Sequence, residues 1–220
     1  MFKYLLFDLD GTLTDSEEGI TKSVSYALIN LGVNDLPDEI KRKFIGPPLK
    51  DSFMRYCDFD EETAKKAITF YRERYSKVGK YENRPYEGIP EMLKELKSDG
   101  RVLVIASSKP TEFVEDILKK FDIYEYFDII SGADMAGLKG EKEDVIKEAL
   151  KRLGIDSEEK KKEAVMIGDR HYDIAGAKHF NLDSIGVNYG FAFDKNELKE
   201  AGATYVVETV SELKTLLLNR

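Results

Sequence analysis

The chain has 220 residues, 42% of them hydrophobic, enough to bury one large domain or a core with a smaller insert. A formal charge of −8 and a sequence pI near 5.1 leave no basic field for a polyanion, which argues against nucleic acid or an anionic membrane and for a small-molecule partner. No apolar run approaches the roughly 20 residues that span a bilayer, MFKYLLFDLD turns acidic too early for a signal peptide, and the lone Cys57 reads as a bystander, so the expectation is a cytoplasmic monomer or homodimer.

The first strand candidate is YLLFD (4–8), an apolar run that ends on acids. From Glu17 to about Lys80 only helical periods follow, chiefly EEGITKSVSYALINLG and DEETAKKAITFYRERYSKVG. This block reads as an insert that leaves the sheet and returns near RPYEGIP (84–90), where Pro85, Gly88 and Pro90 punctuate the chain. Strands then alternate with helices: IPEMLKELKSDG, VLVIAS (102–107), PTEFVEDILKKFD, FDIIS (127–131), KEDVIKEALKRLG, AVMIG (164–168), DSIGV (183–187), TYVVE (204–208) and VSELKTLLL. The pattern predicts an α/β fold, a Rossmann-like doubly wound parallel sheet covered on both faces, with an inserted all-helical domain. The expected boundaries are 1–15 and 86–220 for the core and 16–85 for the insert.

Polar chemistry sits at the ends of several of these strands. Residues i and i+2 of a strand share a face, so Asp8 and Asp10 should project together from the first strand's carboxyl end. Either one acid is protonated, or a cation lies between them, or both are merely solvated at an ordinary Asp10-Gly11 turn. Gly11 would let backbone N–H groups approach a ligand. VLVIASSKP ends in Ser107, Ser108 and Lys109, a cradle for an anion or simply a helix cap, with Pro110 in the first turn of the next helix. Asp169 and Asp173, four residues apart after AVMIG, share one side of a helical start. Lys139 and Lys142 precede a helix near the same sheet edge, either facing the acids or solvated in a polar loop. The four occur together, each after its own strand, which favours one site over four unrelated loops.

The order DLDGTLTDS, IASSKP, a helix-opening lysine and IGDRHYD resembles the four motifs of the haloacid dehalogenase superfamily, over about Tyr4 to Gly190. The insert is similar to that superfamily's type-1 helical cap. FIGPPLKDSF, RPYEGI and GVNYGFAF most resemble its phosphoglycolate phosphatase and 5'-nucleotidase-like branch. The resemblance implies a magnesium-dependent phosphatase that hydrolyses a small-molecule phosphate ester, such as phosphoglycolate or a nucleoside monophosphate, through an aspartyl phosphate. It implies Asp8 as nucleophile, Asp10 as general acid and then base, Ser107 as the hydroxyl that binds phosphoryl oxygens, and Lys142, with Lys139 as competitor, as the lysine joining nucleophile and phosphate. Asp169 would hold Mg2+ with the Asp8 carboxylate and the Asp10 backbone carbonyl, and Asp173 would support the metal waters or Lys142. Gly11, Thr12 and Ser108 would bind substrate, joined by Lys50 and Phe53 from the cap, with Arg42 and Lys43 as alternatives to a solvated KRK face.

The sequence departs from the family pattern at Ser107-Ser108, often Thr-Asn, and at Lys142-Glu143, usually Lys-Pro. An acid at position 10 argues against halide cleavage. A hinge is expected at Asp15-Ser16 and Pro85–Gly88. Helical spacing puts Phe70, Tyr71 and Tyr75 in the cap's own core rather than on a dimer face, and His171 and His179 outside the mechanism. The alternatives are a β-phosphoglucomutase-like phosphomutase and a non-catalytic metabolite-binding module on the same fold.

Overall fold

The structure, a computed structural model, describes residues 1–135 and 140–220. Lys139, the alternative to Lys142, lies outside the described residues. The strands are β1 (Tyr4–Phe7), β2 (Thr14–Asp15), β3 (Arg84–Pro85), β4 (Val102–Pro110), β5 (Ile129–Ala133), β6 (Ala164–Gly168), β7 (Asp183–Val187) and β8 (Tyr205–Val207). Six of them form one parallel sheet in the order β5-β4-β1-β6-β7-β8, as the alternating pattern predicts.

The helices are α1 (Glu17–Asn30), α2 (Asp38–Lys41), α3 (Leu49–Cys57), α4 (Glu61–Tyr75), α5 (Ile89–Ser98), α6 (Thr111–Lys120), α7 (Lys142–Leu153), α8 (Glu158–Lys161), α9 (His171–His179), α10 (Glu197–Glu200) and α11 (Val210–Asn219). The period of two along β1 divides the core between the sheet's faces. Leu5 and Phe7 join Leu103, Ile105, Val165 and Ile167 under α5, α6 and α11. Leu6 joins Val104, Ala106 and Met166 under α7 and α9. Both faces are therefore buried, which is why these strands read as unbroken apolar runs. From β1 the chain winds outward through β4 and β5, then returns to the other side of β1 for β6, β7 and β8. The switch of direction falls between β1 and β6, where ligands of open parallel sheets bind, beyond the strands' carboxyl ends.

Helices α1, α3 and α4 pack around a third cluster that includes Ile20, Val24, Leu28, Phe44, Phe53, Tyr71 and Tyr75. The cluster reaches the sheet domain at Phe113 of α6. Two expectations for this block are corrected. Phe53 is fully buried, 5.0 Å edge-on to Phe44 and stacked on Phe59, so it is core rather than a substrate contact. Lys41 of the KRK run is not on a solvated face: it is 7% exposed, with ion pairs to Asp35 and Asp38 at 2.9 Å. Arg42 pairs with Glu17, and Lys43 lies over the rings of Tyr56 and Phe193.

At the two crossings into this block, β2 and β3 pair antiparallel, Thr14 with Pro85 and Asp15 with Arg84. Two-residue strands carry no periodic signal, so nothing in the sequence marks this ribbon. No helix among the described residues is long and apolar enough to cross a membrane.

Candidate active site

Immediately after β1 the chain folds back on itself. The amide of Leu13 donates to the Leu9 carbonyl at 2.9 Å and that of Gly11 to the Thr14 carbonyl at 2.8 Å. Gly11 has φ +81°, and a Cβ there would lie 2.0 Å from Oδ2 of Asp169. Only glycine combines that backbone with that approach. Both acids follow β1, which ends at Phe7, and their carboxylates meet different cations, Lys142 for Asp8 and Lys109 for Asp10.

Asp8 belongs to a buried cluster in which carboxylate oxygens of Asp8, Asp169 and Asp173 lie within 4.8 Å of one another. Lys142, the first residue of α7, pairs with Asp8 at 3.0 Å and Asp173 at 2.7 Å, and donates to the Ala106 carbonyl at 3.2 Å. Three acceptors thus match its three protons. A lysine in the first helical turn opposes the helix dipole, and the two carboxylates offset that cost. Burial works against its charged form, but Asp173 and Asp8 outweigh burial and leave its pKa above the ordinary value.

Asp169 immediately follows β6 and is fully buried. Its Oδ2 accepts from the Phe191 amide at 2.7 Å and its Oδ1 from the Thr12 hydroxyl at 3.3 Å. Thr12 is thus spent on Asp169, while Tyr189 donates to the Thr12 carbonyl at 2.9 Å. A Cβ at Gly190 would lie 2.4 Å from that of Asp169, so the GVNYGF segment closes tightly over this carboxylate. Asp173 accepts from the Arg170 amide at 3.0 Å, capping α9 with one oxygen while the other meets Lys142. Burial pushes the Asp169 carboxyl well up, with Asp173 and Asp8 adding to it. Burial likewise lifts Asp173, to about 6, against the pull of Lys142. Three carboxylates facing one ammonium in a buried space suit a hard divalent cation, which would relieve both shifts.

Asp10 occupies a second arrangement. Its Oδ2 pairs with Lys109 at 2.7 Å, and its buried Oδ1 has no partner among the described residues. Lys109 also donates to the Tyr75 hydroxyl, from α4. Beyond the Ser107-Ser108 cradle and the helical core expected for them, Lys109 and Tyr75 thus carry a contact to each other. A β-bulge between Ser107 and Pro110 turns this strand end. Ser107 is buried and its Oγ accepts from the Lys109 amide at 3.3 Å. Pro110 is the residue before α6 rather than part of its first turn.

A cavity of about 530 Å³ lies between the helical block and the sheet. Asp10, Ser108, Lys109, Phe44, Tyr71 and Tyr75 line it, together with the cations Lys50, Lys65 and Arg72. Lys50 is not free there: it pairs with Glu61 at 2.9 Å. Asp8, 5% exposed, is not among the lining residues. Elsewhere, His171 pairs with Glu197 at 2.7 Å, and burial pushes the Cys57 thiol up to about 11, which leaves it unreactive.

Comparison with known proteins places this geometry in context. The family described as "Haloacid dehalogenase-like hydrolase" matches residues 5–187. A 5'-nucleotidase of Pseudomonas aeruginosa is 41% identical over 214 residues, covering 97% of this chain and 94% of that protein. A phosphoglycolate phosphatase of Colwellia psychrerythraea is 30% identical over 217 residues, covering 95% of this chain and 94% of that one. The crystal structure of a predicted phosphatase from Clostridium acetobutylicum superposes with a TM-score of 0.94 at 50% identity, covering 100% of both chains.

Proposed function

The chain belongs to the haloacid dehalogenase-like hydrolases and is a phosphatase, and we propose that it hydrolyses a small phosphorylated metabolite, with magnesium, through an aspartyl phosphate on Asp8. The observation that carries this reading is the meeting of Asp8 with Lys142, Asp169 and Asp173 at the switch point of the sheet. An Asp8 oxygen attacks phosphorus, the bond from phosphorus to the ester oxygen breaks, and Asp10 gives its proton to the departing alcohol. Water then attacks the aspartyl phosphate, Asp10 takes the water's proton, and the bond from phosphorus to Asp8 breaks to release phosphate. Lys142 holds the Asp8 carboxylate throughout and faces the charge of the phosphoryl group. Ser107 and Ser108, near the end of β4, offer donors to the phosphoryl oxygens, whereas the amides of Gly11, Thr12 and Leu13 are spent within their own turn. Asp8, Asp169 and the Asp10 carbonyl would hold Mg2+, with Asp173 beside them. When bound, the metal neutralises charge on the phosphoryl group.

The cavity favours a larger ester over phosphoglycolate. Its volume and its walls of Phe44, Ile68, Tyr71 and Tyr75 suit a planar leaving group such as a nucleoside. The 5'-nucleotidase relative supports the same choice. Residues 16–85 act as a cap on a core of 1–15 and 86–220. Because Asp8 is closed off from the cavity, the cap opens about the β2–β3 ribbon to admit substrate. The lone, unreactive Cys57 goes with a reducing, cytoplasmic setting.

The test is phosphate release from nucleoside monophosphates, phosphoglycolate and sugar phosphates, with magnesium or chelator, alongside Asp8→Asn. Release that requires both magnesium and Asp8, fastest on a nucleoside monophosphate, is the expected result. Folded, magnesium-loaded protein that releases phosphate from none of these esters would overturn the reading.

A further inference from the structure

The Asp10 carboxylate is held on one side only. Its Oδ2 meets Lys109 at 2.7 Å, while Oδ1, buried at the cavity lining, has no partner among the described residues. An aspartate tied at one oxygen presents the other in a defined direction. Lys109 reaches it because β4 bulges: Ser107 pairs with Gly132 and Pro110 with the very next residue, Ala133. The bulge itself depends on Gly132, since a Cβ there would lie 2.7 Å from the Lys109 carbonyl. A four-carbon lysine stem loses considerable rotamer freedom when fixed, so one ion pair holds it poorly. The second hold is the Tyr75 hydroxyl, which accepts from the same ammonium.

Tyr75 is itself immobile. Its ring stacks on Tyr71 at 5.1 Å and meets Phe113 edge-on at 5.4 Å, and it is 2% exposed. Burial, with Asp10 nearby, pushes its pKa well up, so the hydroxyl stays neutral and adds no charge to the pair. The three residues span the two halves of the molecule: Asp10 and Lys109 stand at ends of sheet strands, whereas Tyr75 closes the last turn of α4 in the helical block.

We propose that Lys109 and Tyr75 are positioning residues that aim Asp10 at the leaving-group oxygen, and that the aim is complete only when the helical block is docked on the sheet domain. The proposal rests on Asp10 being the acid–base group of the reaction. Proton delivery matters most when the departing alcohol is a poor leaving group, and least when it leaves readily as an anion. A misaimed acid therefore changes the dependence of kcat/KM on the leaving group, which loss of packing alone would not do.

The experiment measures kcat/KM for substituted phenyl phosphates running from good to poor leaving groups, on wild type, Tyr75→Phe, Lys109→Met and Asp10→Asn, each with magnesium. Tyr75→Phe removes one oxygen and keeps the stacked ring, so it folds even if Lys109→Met does not. We expect Lys109→Met to lose about ten- to a hundredfold at the poor end and less than about threefold at the good end. Tyr75→Phe should lose about three- to tenfold in the same sense. Asp10→Asn should show the steepest dependence of all. A uniform loss, or none, in Tyr75→Phe while Asp10→Asn remains steep overturns the positioning role alone. A flat response in Asp10→Asn removes the acid–base reading beneath it, and the proposal with it.

Discussion

The two aspartates after β1 are separated by one residue yet live in differently built surroundings. Asp8 joins Asp169, Asp173 and Lys142, all carried by the sheet domain. Asp10 joins Lys109 and, through it, Tyr75, which the helical block supplies. The first arrangement is complete without the insert and the second is not. In the proposed mechanism, phosphoryl chemistry and metal binding would thus fall to the sheet domain, and proton delivery would depend on the docked insert.

The comparison is broken most severely by Asp8→Asn. We expect kcat/KM to fall at least about 10⁴-fold for every ester, irrespective of the leaving group, in contrast to the graded loss expected for Asp10→Asn. Steady-state phosphate release over the same esters separates the two patterns.

Next in size is Lys142→Met. Removing one partner of a buried ion network leaves uncompensated charge and costs about 3–5 kcal/mol. Here the bare Asp8, Asp169 and Asp173 would remain. Denaturant unfolding should therefore show a large loss in chelator and a partial rescue by magnesium that exceeds magnesium's effect on wild type. An equal effect on both proteins would mean that the cation binds elsewhere.

A subtler handle is pH. Burial raises Asp173 to about 6 and Asp169 in the same direction. A carboxyl whose folded pKa lies above its unfolded value binds protons more readily when folded. Its contribution to stability is thus greatest at low pH and is lost as pH rises through about 6. Metal ligands must also be deprotonated. The gain in unfolding midpoint on adding magnesium should consequently be larger at pH 7.5 than at pH 5. The same gain at both would disconnect the acidic cluster from the metal.

The smallest effect is expected at the crossing into the insert. Asp15 and Arg84 pair at 2.8 Å, but the Arg84 side chain is 80% exposed. Arg84→Ala should cost under about 1 kcal/mol by thermal unfolding, with phosphate release nearly unchanged.

Local pattern was enough for much of this protein. AVMIG and DSIGV appear as strands with the residues expected, and Asp8, Asp169 and Lys142 meet where the strand ends placed them. Other features resisted reading because they depend on chain segments far apart in sequence. Lys109 looked like one more polar residue in a loop, since its partners Asp10 and Tyr75 lie 99 and 34 positions away. A lysine beside serines carries no mark of an ion pair. Phe53 sat in a segment resembling a substrate loop, and only its packing on Phe44 and Phe59 shows that it is core.

What the sequence by itself determined was the alternation of strands and helices and the helical insert, because these follow from hydrophobic period within short windows, while the roles of Asp8, Asp10 and Lys142 rest on the resemblance of their motifs to the family's. The tertiary structure alone decided which cation meets which carboxylate, and that the insert's Tyr75 completes the surroundings of Asp10. Electrostatic and hydrogen-bonding partners are set by distance in space, and distance in space is a property of the folded chain.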